Sequence, residues 1–212
     1  MNAADSLLEV LPPLHRLSLA YAPKAAREPT LALFALDQRL AGIVRNSHEP
    51  SLAQLRLAWW REQLMVDAAA WPRGEPLLAA LQSWRGKHTA LVELVNGWEM
   101  LTGAAPLPDA DLSEFAGGRG EAFAALAEVV GTPREPALRL GRQWALADLA
   151  TNVANPEERA AAQRLLEAEG RTARVGRPLR PLAVLYGLAR RKQKGHSAAS
   201  LMTAMRLGLL GR

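Results

Sequence analysis

The side chains able to do chemistry in this chain are few and scattered. Four histidines, His15, His48, His88 and His196, stand far apart. None has a second histidine or a carboxylate at metal-ligand spacing on one helix face, so neither a zinc site nor a nucleophile triad has a framework. Each histidine reads as a surface or packing residue. Cysteine is absent, which excludes thiolate catalysis, Cys-ligated zinc, iron–sulfur clusters and disulfides. Gly117-Gly118-Arg119-Gly120 is glycine-rich, yet it follows no strand and lacks the Lys-Ser/Thr pair of a phosphate loop. Close helix packing or a helix break explains that run better than a nucleotide cradle. Six tryptophans, Trp59, Trp60, Trp71, Trp84, Trp98 and Trp144, are many for a chain with 5% aromatic residues. Most belong to a core by their helical spacing among Leu and Ala; a minority would line a pocket for an apolar ligand.

Charge adds little direction. The 26 basic and 21 acidic residues leave a net charge of +5, spread along the chain. The densest basic run is Arg190-Arg191-Lys192 with Lys194 before Gly195, read as a solvated helix end where cations meet the negative pole of the dipole. No reading element or broad basic face accompanies it, so nucleic acid is not expected as a partner. Peripheral contact with an anionic membrane is allowed by four charges standing close together. Met1 to Glu9 carries Asp5 and Glu9 and no base, and no apolar run approaches the roughly 18 residues of a spanning helix. A cytoplasmic protein, at most peripheral to a membrane, is the expectation.

The elements that must carry these residues are helices throughout. With 49% hydrophobic and 22% charged residues, the chain is globular. Long Ala/Leu/Glu/Arg segments place apolar residues three and four apart, and alternating β-branched runs are missing. The pattern predicts helices near 13–21, 24–46, 51–70, 76–85, 89–103, 109–130, 134–153, 157–169, 179–193 and 198–210, in one domain spanning 1–212. Ser51 and Asp109 read as helix caps, and Asn155-Pro156 as a cap followed by a first helical position. The arginine-rich stretch from Gly170 to Pro181 reads as irregular. The segment 195–212 reads as a C-terminal helix whose apolar face (Leu201, Met202, Met205, Leu209, Leu210) closes the core or docks on a partner or membrane.

Several segments taken together are familiar. Leu19-Ala20-Tyr21-Ala22-Pro23, Arg27, the run LALFALDQRLAGIVR from Leu31 to Arg45, and LRLAWWREQL from Leu55 to Leu64 resemble the opening of the squalene/phytoene synthase family. LVNGWEM from Leu94 to Met100 resembles the family's "LI-x-G-x-E-x-D" helix, and Phe115 to Gly131 its "Y-x-x-x-x-A-G-x-V-G" helix. Leu140-Gly141 resembles the start of its second aspartate-rich helix. The likeness covers about 14–190 in the expected order. It implies an all-α, single-domain helical bundle of the isoprenoid synthase type, in agreement with the helical periodicity.

The resemblance also says which chemistry to seek. Head-to-head joining of two prenyl diphosphates requires an allylic diphosphate to ionise, and magnesium ions neutralise the departing pyrophosphate. Carboxylates one turn apart on two facing helices hold those ions. Here the motif positions are degenerate. Aligned on Phe34-Ala35-Leu36, the first acidic positions fall on Ala41, Gly42 and Arg45; aligned on Leu140-Gly141, the second fall on Asn152 and Pro156. Asp37 and Asp148 are nearby, each without a second carboxylate one turn away. Arg27 and Arg56 are the basic residues that would meet a diphosphate, the alternative for each being an ordinary ion pair with a neighbouring Glu.

The reading is therefore a family member without prenyl transfer, with no catalytic residue, metal or cofactor, acting by binding a protein partner or an isoprenoid or lipid ligand. Its "LD-Q-R-LAGIVRN" and "LRLAWWREQL" helices also resemble a divergent mitochondrial branch of the family, the assembly factor for respiratory complex I. The alternative is a magnesium-dependent prenyl-diphosphate transferase with displaced metal ligands, in which Asp37 and Asp148 face each other across one cavity.

Overall fold

A computed structural model describes residues 3–47, 49–84 and 86–193. His48, His196, Lys194 and the expected helix at 198–210 lie outside these residues. Among the described residues ten α-helices follow one another: α1 (Ala3–Val10), α2 (Pro13–Leu19), α3 (Lys24–Asn46), α4 (Pro50–Met65), α5 (Pro76–Leu81), α6 (Val92–Met100), α7 (Asp109–Val129), α8 (Arg134–Asn152), α9 (Pro156–Ala168) and α10 (Arg180–Gln193). No strand occurs among the described residues. The all-α expectation holds, and no described helix is long and apolar enough to cross a membrane.

Proline sets many of the starts. Pro50, Pro76 and Pro156 stand in the first turn of α4, α5 and α9, while Pro23, Pro108 and Pro133 immediately precede α3, α7 and α8. A first-turn proline sacrifices no helical hydrogen bond and brings the required φ. Asn155 caps α9 as expected, its side-chain oxygen accepting from the backbone N–H groups of Glu157 and Glu158. Ser51 and Asp109 do not act as caps. Both lie inside the first turn, because the preceding proline or Glu49 takes the cap position, and Asp109 instead pairs with Arg164 at 3.1 Å. At the end of α7, Gly131 adopts φ +70° and lets Thr132 N–H reach back to the Ala127 carbonyl at 2.8 Å, a closure that favours glycine.

Two differences from the periodicity have local causes. The helix expected to reach residue 70 stops at Met65, where Val66 turns extended; Asp67 then caps a separate 3₁₀ turn at Ala68–Ala70 through the Ala69 N–H. An unexpected helix, α1, forms ahead of Pro12, with Leu7 and Leu11 buried and α3 and α5 beneath it.

The core is built around α7, which packs most extensively on α8 and α6. Its buried residues surround most of the helix from Leu112 to Ala127, the pattern of a central rather than a surface helix. The glycine run is what permits this. A Cβ at Gly118 would lie 2.3 Å from the Glu93 carbonyl oxygen of α6, and one at Gly120 would lie 2.9 Å from the Leu138 carbonyl of α8. Gly141 meets Gly120 from the opposite side, its own Cβ position 3.0 Å from the Gly120 Cα. The run is close helix packing, without a break in α7, and it brings three helix backbones around Arg119.

Gly118→Ala should therefore cost at least about 1–3 kcal/mol, since backbone must move. Gly42→Ala, where a Cβ meets nothing within 4 Å, should gain about 0.5–1 kcal/mol. Urea unfolding of the two variants beside the parent chain checks both signs.

Candidate functional site

Arg119, embedded in α7 between Gly118 and Gly120, is 2% exposed. A guanidinium stripped of water at this depth loses several kcal/mol of hydration and needs its counter-charges within reach. It finds two. Nε and Nη2 donate to Oδ1 and Oδ2 of Asp37 on α3 at 2.9 and 2.8 Å, while Nη1 donates to Oδ2 of Asp148 on α8 at 2.8 Å. The first contact is the bidentate fork that a planar guanidinium matches to a carboxylate. Asp37 accepts a further bond from the Trp98 indole N–H at 2.9 Å, and Asp148 one from the Asn152 amide at 2.7 Å.

Three aromatic rings complete the enclosure. The guanidinium carbon lies 5.0, 4.8 and 4.2 Å from the ring centroids of Trp98, Phe115 and Trp144, inside the range where a desolvated cation gains about 2 kcal/mol from a ring. Burial opposes the charge on Arg119, but the Asp37 and Asp148 carboxylates outweigh it and raise its pKa above the ordinary guanidinium value. The group is a permanent cation.

Arg119 forms part of the wall of a cavity of about 760 Å³. Trp98, Phe115, Trp144, Leu101 and Leu107 line it from one side and Leu185, Leu188 and Ala189 of α10 from another. His15 of α2 also lines it, edge-on to Phe34 and Trp144 with centroids 5.3 and 5.9 Å away. Its Nε2 lies 3.5 Å from the Gln38 amide nitrogen, and its buried Nδ1 has no partner. Burial lowers the His15 pKa below 6.5, with Arg119 adding to the effect and Asp37 and Asp148 opposing it.

The sequence candidates separate into three places. Asp37 and Asp148 meet on Arg119. Ala41, Arg45 and Asn152 line the cavity, Ala41 and Arg45 standing one and two turns beyond Asp37 on α3. Gly42 faces a separate cleft shared with Leu7, Val10 and Arg56; Arg27 is exposed outside the cavity lining, as is Pro156 in the first turn of α9. Arg56 and Arg27 therefore do not converge with the aspartates.

The residue that organises the site was visible only as part of a glycine run. The signal lay in its register. Arg119 stands between two glycines that pack against the backbones of α6 and α8. A charge placed among residues chosen for close packing has to be buried, and a buried charge must have partners.

Magnesium does not fit this set. Its two converging carboxylates already hold a guanidinium, and the positions one turn further offer Ala41 and Asn152. No three His, Asp or Glu side chains cluster as a metal site among the described residues. The arrangement instead provides an aromatic, largely apolar pocket in which the Arg119 charge is neutralised by Asp37 and Asp148.

Two consequences are measurable. Arg119→Met strands Asp37 and should cost about 3–5 kcal/mol in urea unfolding. Adding Asp37→Asn, which keeps an acceptor for Trp98, should recover part of that loss; Asp148→Asn alone should cost less, because 31% of its side chain is exposed. For His15, the folded pKa lies below the unfolded one, so the unfolded chain takes the proton first. Its contribution is complete above pH 6.5 and is lost as the pH falls through the folded value. Between about pH 7.5 and about pH 5.5, His15→Phe should lose less stability than the parent chain.

Comparison with known proteins adds one match. Residues 15–118 fit the family model described as squalene/phytoene synthase, while no curated protein and no solved structure shows significant similarity. The matched segment holds His15, Asp37 and Trp98 and stops one residue short of Arg119. Joined to an all-helical fold in which α3, α4 and α6 carry the motifs in order, that match places residues 15–118, just under half of the chain, in the squalene/phytoene synthase family.

Proposed function

We propose that this chain is a family member without prenyl transfer activity, which acts by binding a protein partner or a lipid-like ligand, in the manner of the assembly-factor branch. The observation that carries the reading is the guanidinium of Arg119 seated between Asp37 and Asp148 at 2.8–2.9 Å. Ionising an allylic diphosphate needs cations that meet the phosphate oxygens, and metals supply several kcal/mol of charge neutralisation there. Arg119 cannot substitute in that role. It brings one charge, three of its five N–H donors are held by the carboxylates, and aromatic rings surround it. Arg45 adds a cation on the cavity wall where the family's motif would be acidic, which repels a divalent ion.

The transferase reading keeps one supporting observation, the convergence of Asp37 and Asp148 beside a single cavity. It requires Arg119 to leave both carboxylates. The two readings part in one assay: full-length protein with magnesium and farnesyl or geranylgeranyl diphosphate, followed for pyrophosphate release. The expected result is release no faster than the protein-free background. Turnover that depends on magnesium and on both aspartates would establish the transferase.

A further inference from the structure

We infer that the cavity beside Arg119 binds an uncharged, single-chain apolar molecule with one small polar head such as a hydroxyl, and discriminates against the same chain carrying a diphosphate. This rests on the non-catalytic reading above and specifies its ligand.

Charge is the first argument. Among the described lining residues two cations, Arg45 and Arg119, stand with two anions, Asp148 and Glu158, and Asp37 pairs with Arg119 from behind at 2.8 Å. The wall is close to neutral, with a slight acidic excess. A diphosphate entering it meets no surplus of positive charge to replace its hydration, and burying an uncompensated charge is strongly unfavourable. A cationic head gains no better site, since the Trp98, Phe115 and Trp144 rings already surround the Arg119 guanidinium, Asp148 is engaged by Arg119 and Asn152, and Glu158 accepts the Leu107 N–H at 2.9 Å.

Shape and polarity supply the second argument. About 760 Å³ lies within the range of pockets that enclose a small organic ligand, and leucines and aromatic rings make up much of its wall. The uncharged polar groups that face it are suited to one hydroxyl. The Gln38 amide nitrogen is directed at His15, which leaves its carbonyl oxygen to accept, and the Thr151 hydroxyl donates to the Ala147 carbonyl with its oxygen still able to accept.

Trp98 and Trp144 line the cavity, so tryptophan emission reports occupancy. Full-length protein is titrated with farnesol, farnesylamine, and farnesyl diphosphate with and without magnesium. Farnesol should change the emission saturably, and both charged analogues should bind at least about tenfold more weakly. Ala189→Trp at the half-buried α10 wall and Ala41→Phe on α3 should each abolish farnesol binding; an unchanged thermal midpoint for either one shows that the loss is not unfolding. Farnesol binding that survives both substitutions, or no saturable farnesol binding, overturns this inference and leaves the non-catalytic reading intact. Diphosphate binding as tight as farnesol overturns it as well, and if it is magnesium-dependent with pyrophosphate release, both readings fall together.

Discussion

The rest of the molecule is arranged around one buried ion triad. Arg119 has no solvent to fall back on, so Asp37, Asp148 and the surrounding rings must be held at fixed positions on four different helices. That constraint acts in both directions. Asp37 is as deeply buried as the guanidinium, and without Arg119 it would be an unpaired carboxylate in the core, the more damaging half of a broken ion pair. The glycines on either side of Arg119 are part of the same device. They draw α6 and α8 against α7, which brings Trp98 of α6 and Asp148 of α8 up to the guanidinium.

A tethered guanidinium and a divalent ion are different cations in a site of this kind. The metal is exchangeable, carries two charges and keeps coordination positions for a substrate's oxygens. The guanidinium is planar and carries one charge, and its hydrogen bonds are directed; once both carboxylates and the rings are in place, little of it remains to meet a ligand. The same two helices that would face each other across metals here face each other across an arginine. The result is a cavity in which the charge of Arg119 is compensated within the wall itself by Asp37 and Asp148.

Much of this fold was legible because helices announce themselves locally. The three-and-four spacing located α3, α7 and α8 to within a residue or two, and prolines and Asn155 marked their starts. What escaped depended on tertiary contact. Eight residues ahead of Pro12 gave too short a pattern for α1, whose Leu7 is buried only because α3 and α5 lie beneath it. At the site, Asp37 and Asp148 were recognisable as the two carboxylates near the motif positions. Their partner was not, because nothing local in Gly117-Gly118-Arg119-Gly120 states that the glycines face α6 and α8 and leave the arginine to reach α3. Trp98 and Trp144 were likewise visible as tryptophans without a basis for choosing them over Trp59 or Trp84.

The triad also explains a feature that is odd on chemical grounds alone. Ala41, Gly42, Arg45, Asn152 and Pro156 occupy the positions where metal-binding carboxylates would be expected, yet one aspartate stands on each of the two helices. If Asp37 and Asp148 were remnants of a catalytic site, their survival as an isolated pair would have no function. As counter-ions of Arg119 they offset the cost of burying its charge. Arg119 needs Asp37 because bidentate pairing offsets its desolvation, and Asp148 supplies the second charge from the half-open side. The carboxylates thus serve the stability of the core, whatever the cavity beside them takes.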